Sequence, residues 1–216
     1  MADKAMDNNQ VTIVGTVDSE FTYSHEVFGE GFYMLEVVVN RLSHMEDRIP
    51  LMVSERLVDV KESYRGKIVE VHGQFRSYNK HEESRNRLIL SVFVREFAFV
   101  GEEGTLTKPN SIYLDGYICK PPIKRTSPLG REICDIMLAV NRMYNKSDYI
   151  PCIAWGRNAS YAAAMEVGEK ICIEGRIQSR QYNKKDSEGN VTVHTAYEVS
   201  VIKIDEAEQA DKDEII

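Results

Sequence analysis

No apolar run in the 216 residues approaches the roughly 20 positions that a membrane-spanning helix needs. The opening MADKAMDNNQ has no apolar stretch able to serve as a signal-peptide core, so the expected location is the cytoplasm, with no membrane partner. Cysteine is sparse. Cys119, Cys134, Cys152 and Cys172 lie 15, 18 and 20 residues apart with no CxxC pair, which argues against zinc and redox motifs. All four sit in apolar or β-like runs and are expected as buried, reduced thiols. The five histidines are scattered singly and form no ligand or catalytic cluster. There is no nucleotide-binding glycine loop and no nucleophile–base pair, so an enzyme is not expected, nor any cofactor or metal. Tryptophan occurs once, at position 155.

Positive charge is also short overall, with a formal net of −7, but it is unevenly spread. Residues 1–105 carry 12 Lys+Arg against 18 Asp+Glu. Residues 106–204 carry 14 against 10, and residues 205–216 carry 1 against 6. The basic excess therefore lies in one part of the chain, where a phosphate-binding surface would need it.

What the chain does have is an internal repeat. At a shift of 101 residues Asn9 falls on Asn110, Gly15 on Gly116, and Val39-Asn40-Arg41 on Val140-Asn141-Arg142. Asp47, Ile49 and Pro50 then fall on Asp148, Ile150 and Pro151. After one inserted residue Gly66 and Gly73 meet Gly168 and Gly175, and after two more Tyr78-Asn79-Lys80 meets Tyr182-Asn183-Lys184. The joint is GEEGTLTKPN, whose Gly, Thr and Pro suit a linker.

Both copies read alike. In the second, residues 111–119, 131–142 and 148–155 are rich in Ile, Val, Tyr and Cys and read as strands. The Ala-rich stretch 157–166 reads as a short helix, and 169–182 and 190–204 alternate as two further strands. Gly175 interrupts its strand as a sharply coiled small barrel requires. Three strands, a helix and two strands is the succession of an OB fold. The expected class is all-β with short helices, in two tandem five-stranded OB barrels. Residues 9–100 form the first, 101–109 a linker, 110–204 the second and 205–216 an acidic tail.

The second copy resembles the bacterial single-stranded-DNA-binding protein family. The resemblance is carried by NSIYLDGYI, LAVNR (138–142), DYIPCIAWGRNA (148–159) and VGEKICIEGRIQSRQYNK (167–184), in that order and spacing. It implies an OB barrel that binds single strands through aromatic stacking and a basic groove, working as an assembly of four barrels. With two barrels per chain, a homodimer is the expected assembly.

An unpaired strand exposes base faces and phosphates, so a sequence-blind binder needs flat rings and cations. Tyr144, Tyr149, Trp155 and Tyr182 stand where the resembled family has its stacking aromatics. The interleaved cations are Lys120, Lys124, Arg125, Arg142, Lys146, Arg157, Arg176, Arg180, Lys184 and Lys185. In the first copy Ser43 replaces Tyr144, Arg48 replaces Tyr149 and Ser54-Glu55 replaces Trp155-Gly156, leaving only Tyr78. That acidic barrel is expected to be a degenerate copy kept for folding, assembly or a protein partner. The tail resembles the family's acidic tip, with Asp213, Glu214, Ile215 and Ile216 as its end, but lacks the usual Pro-Phe. The competing reading is a protein-interaction module of a replication or primosome assembly with little DNA affinity of its own.

Overall fold

The computed structural model describes residues 7–41, 43, 45–82, 85–101, 108–185 and 189–206. The acidic end with Asp213–Ile216, and most of the linker, lie outside the described residues. The first copy contains β1 (Asn9–Val17), β2 (Thr22–Val27), β3 (Glu30–Asn40), β4 (Glu46–Ser54), β5 (Ile68–Glu82) and β6 (Arg85–Phe99). The second contains β7 (Asn110–Ile118), β8 (Ile123–Thr126), β9 (Glu132–Arg142), β10 (Lys146–Trp155), α1 (Arg157–Ala163), β11 (Lys170–Lys185) and β12 (Val191–Glu206).

All twelve strands form one sheet in the order β2-β3-β4-β6-β5-β1-β7-β11-β12-β10-β9-β8. Pairing of β1 with β3, and of β7 with β9, closes each half into a barrel. In each barrel one neighbouring pair is parallel: Leu51 opposite Val92 between β4 and β6, and Cys152 opposite Val199 between β10 and β12. That parallel closure in an otherwise antiparallel barrel fits the five-stranded OB arrangement. The short strands β2 and β8, not anticipated from the sequence, add an outer edge strand to each half.

The two barrels meet through β1 and β7, which pair antiparallel with Val11 opposite Ile112. Those two residues are one repeat length apart, so a local two-fold relationship passes between them. A single chain thereby builds what two identical barrels would build as a dimer. Strand alternation turns Ile13, Val37, Ile49, Leu51, Phe75 and Val92 inward in the first half, and Leu114, Leu138, Ile150, Ile173, Ile177 and Val199 in the second. Each fully buried apolar side chain of this kind contributes roughly 1.5–3 kcal/mol. Strand β11 bends at a bulge between Glu174 and Gly175. A Cβ at Gly175 would lie 2.5 Å from the Ser200 carbonyl oxygen, so no larger residue fits that bend.

Three sequence expectations need correction. The helix exists only in the second barrel among the described residues, and it stops at Ala163 rather than 166. In the first barrel, residues 55–63 form turns and bends, because Val58 and Val60 are β-branched and the Asp59 carboxylate accepts the Lys61 amide at 3.0 Å. Only Cys134 and Cys152 of the four free thiols are buried, while Cys119 and Cys172 are half-exposed at strand ends and outer faces.

Candidate nucleic-acid interface

Period-two alternation along β10 sends Asp148, Ile150, Cys152 and Ala154 into the barrel and Tyr149, Pro151, Ile153 and Trp155 onto its outer face. Tyr149 is 46% exposed. Trp155 is half-buried, and its indole N–H donates to Ser200 Oγ at 3.2 Å, which fixes the plane of the ring. The neighbouring strand β9 presents Ala139 opposite Tyr149, Met137 opposite Pro151, Asp135 opposite Ile153 and Ile133 opposite Trp155 on that face, with Asp135 paired to Arg125. Ala139 also pairs with Tyr117 of β7, an outward ring that sequence reading passed over. Its position in SIYLDGYIC, out of phase with buried Ile112, Leu114 and Ile118, was the available signal.

A second stretch of surface is built by the β11–β12 arm. Tyr182 stacks on His194, with centroids 5.7 Å apart and planes 28° apart, and Arg180 stands 6.0 Å from the tyrosine ring. Tyr182, Lys184 and His194 line an open cleft of about 390 Å³ together with Pro151 of the outer β10 face and Leu88–Leu90 of the first barrel. His194 and the β6 residues were not foreseen, because only the joining of the two barrels brings β6 there.

Tyr144 lies apart from these, at the tip of the β9–β10 turn, 87% exposed. It and Asn145 both have left-handed backbones, with φ of 62° and 54°. That is costly for a tyrosine and recurs at functional turns. Arg142 and Lys146 stand at the base of the turn, paired across it.

The expected cations divide into two groups. Lys124 pairs with Glu132 at 3.1 Å, and Arg125 forms a two-pronged pair with Asp135 at 2.5 and 2.9 Å. Arg176 turns into the first barrel to reach Asp47 at 3.2 Å, and Arg142 faces buried Asp148 at 3.3 Å. Among the described residues, Lys146, Arg157, Arg180 and Lys184 are exposed and in none of the ion pairs. Exposed pairs such as that of Lys124 are worth little and exchange readily for a phosphate. Lys185 is a residue whose side chain lies outside the description.

The same outer face in the first barrel is occupied by polar contacts. Arg48, at the position of Tyr149, is bound by Asp18, by Glu36 at 3.2 Å and by Glu46 at 3.8 Å. Ser54, at the position of Trp155, donates to Glu30 at 2.5 Å, and Glu55 accepts the Gly31 amide at 2.9 Å. Pro50 and Met52, the outward residues between, are buried. Tyr78 is exposed, but its correspondence with Tyr182 shifts. The repeat holds an offset of 102 as far as Ser77 and Ser179, whose amides bind Asp148 and Asp47 alike. Tyr78 thus stands level with Arg180, and Tyr182 lies two residues further out on the same face.

Residues 109–205 match the single-strand binding protein family model. A single-stranded DNA-binding protein of Clostridium tetani is 39% identical over 84 residues, covering 36% of this chain and 58% of that protein. Single-stranded DNA-binding protein A of Bacillus subtilis is 30% identical over 86 residues, covering 37% of this chain and 50% of that protein. The chain spans only a little over half the length of these curated relatives. Over its whole fold it is similar to the wild-type single-stranded DNA binding protein of Thermus aquaticus, at a TM-score of 0.69 and 17% identity, covering 93% of each chain. The fold of the whole chain is therefore that of tandem OB barrels, and its second barrel, residues 109–205, is the part that matches the single-strand binding protein family.

Proposed function

We propose that the protein binds single-stranded DNA without reading its sequence, chiefly through the second barrel. Tyr149, Trp155 and Tyr182 stack bases, Tyr144 adds a ring at the turn, and Lys124, Arg125, Arg142, Lys146, Arg157, Arg176, Arg180 and Lys184 supply the phosphate-facing charge. The observation that carries this reading is the contrast between the two copies of one surface. The β10 face holds Tyr149 and Trp155 outward beside Ala139, Met137 and Ile133, with Asp135 neutralised by Arg125, whereas the β4 face replaces the two rings by Arg48 and Ser54, both tied to carboxylates. A stacked base is worth on the order of 1–3 kcal/mol whatever its identity, so affinity of this kind is sequence-tolerant.

On this reading the role is one of binding rather than catalysis, in DNA replication, recombination or repair within the cytoplasm. Two chains associated as a homodimer would provide four barrels, and Asp213–Ile216 would recruit replication or repair proteins. The carboxylate-lined face of the first barrel favours a second role there, as a surface for a protein partner. Trp155, the only tryptophan, gives the test. Titration with poly-dT is expected to quench its emission saturably, at lower affinity when salt is raised from about 50 to about 200 mM. Unchanged emission and no binding would refute the proposal.

A further inference from the structure

Where the β9–β10 turn of the second barrel meets β5 and β6 of the first, an open cavity of about 240 Å³ is lined by side chains of both. The first barrel contributes Gln74, Arg76 and Arg95, and the second contributes Arg142, Tyr144 and Lys146. Four cations thus face one space. The carboxylate that answers them is Asp148, fully buried, with one oxygen already accepting the Ser77 amide at 2.7 Å. Its other oxygen and Arg142 Nε, 3.3 Å apart, are both buried without a hydrogen-bond partner.

Arg76 and Arg95 lean instead on a neutral acceptor, the Gln74 amide oxygen, at 2.8 and 3.5 Å. Among the described residues neither is in an ion pair. Arg76 lies over the Phe93 ring at 3.9 Å. Burial, together with Arg142 and Arg95 nearby, pushes its pKa down to about 10. A cluster so short of negative charge is held together by the fold and is relieved when an anion enters.

The duplicated cavity at the other end of the two-fold relationship serves as an internal control. There Arg41 and Arg176 both reach Asp47, at 2.5 and 3.2 Å. Gln178 replaces Arg76 and donates to Glu198 at 2.6 Å. The bulge residue of β6, Arg95, is matched by the bulge residue of β12, Ile202. Ser43 stands for Tyr144. The arginine–aspartate scaffold is common to both ends, so folding accounts for it. What recurs is the pair Arg142–Asp148 as Arg41–Asp47; Arg76, Arg95, Lys146 and Tyr144 are at this end only, with Gln178, Ile202, Met45 and Ser43 in their places, while Arg176 stands in the place of Gln74.

Building on the single-strand reading above, we propose that this cavity holds an internal phosphodiester of the bound strand, clamped by cations from both barrels, with Tyr144 stacking the adjoining base. The acidic barrel then takes part in binding through Arg76 and Arg95, although its own outer face carries no stacking platform.

Arg95→Gln tests this, since Arg95 is exposed and its replacement leaves the core intact. Binding of fluorescein-labelled oligo-dT by the full chain would be followed by anisotropy across a salt series, beside wild type and Arg56→Gln, a 70%-exposed residue paired with Glu30. The expected result is a roughly fivefold or greater loss for Arg95→Gln. Its slope of log affinity against log salt should be shallower by about 0.7, the value for one phosphate on a single strand, with Arg56→Gln like wild type. Wild-type binding with an unchanged affinity and slope for Arg95→Gln would overturn the cavity's role while leaving the single-strand reading standing. Absence of wild-type binding would overturn both. A loss confined to 5′-phosphorylated oligo-dT would overturn the internal phosphodiester in favour of a terminal phosphate.

Discussion

Asp148 of the second barrel accepts a hydrogen bond from the backbone amide of Ser77 in the first at 2.7 Å, and Ser77 Oγ in turn accepts the amide of Tyr149 at 2.7 Å. The mirror arrangement joins Asp47 to Ser179 at 2.8 Å and Ser179 to Arg48 at 3.0 Å. Beyond the point where β1 and β7 leave them, the edges of β5 and β11 would be bare. A buried carboxylate from the opposite barrel covers each edge. The residue that this clasp orients in the second barrel is Tyr149, and in the first it is Arg48.

The clasp should be unequal in its parts. Asp148→Ala removes the carboxylate facing Arg142 and strands the Ser77 amide, so a loss of about 3–5 kcal/mol is expected. Ser77→Ala keeps the backbone amide on the carboxylate, removes only the hydroxyl's bonds to the Tyr149 amide and to Asp148, and should cost about 1–2 kcal/mol. Guanidinium unfolding of the two variants measures both, and equal losses would contradict the assignment.

The same aspartate sets a pH dependence. Burial raises the Asp148 carboxyl above its ordinary value, against the opposing pull of the Ser77 amide and of Arg142 and Arg76. The folded chain therefore holds that proton more tightly than the unfolded chain. Stability from this group is greatest at the acid end and falls as pH climbs from the ordinary aspartate value of about 4 through the raised one. Asp148→Asn keeps the shape and cannot titrate. The urea-unfolding stability of wild type minus that of Asp148→Asn should decline as pH rises through that window, and a rising difference would contradict the direction.

Tyr144 separates stability from binding. Its φ of 62° suits glycine better than tyrosine, so Tyr144→Gly should leave stability unchanged or raise it by up to about 1 kcal/mol. Oligo-dT affinity should nevertheless fall several-fold. Thermal unfolding and anisotropy on the same preparation decide the matter; lowered stability with intact affinity would mark the ring as a packing residue.

The fold was legible in the sequence because duplication doubles every signal: glycines at matching bends, alternating strands and one linker. The inner and outer faces of β10 followed from alternation alone. What stayed hidden depends on contacts across the chain. Tyr117 becomes part of the outer face only when β7 closes on β9 at Ala139. Arg76 and Arg95 sit in an acidic segment whose net charge pointed away from phosphate, yet joining the barrels sets them beside Arg142. Charge alone likewise did not reveal that Arg176 and Arg142 each face a buried aspartate, Asp47 and Asp148. The copy-to-copy match of Tyr78 and Tyr182 was a likeness of residues rather than of place.

The most direct test compares wild type with the double variant Tyr149→Ala/Trp155→Ala in anisotropy titrations of labelled oligo-dT at one fixed salt concentration. Two stacked bases lost at on the order of 1–3 kcal/mol each should weaken binding by about 30-fold or more, while urea unfolding stays cooperative. Wild-type affinity in a folded double variant would contradict the claim that the outer face of β10 holds the strand.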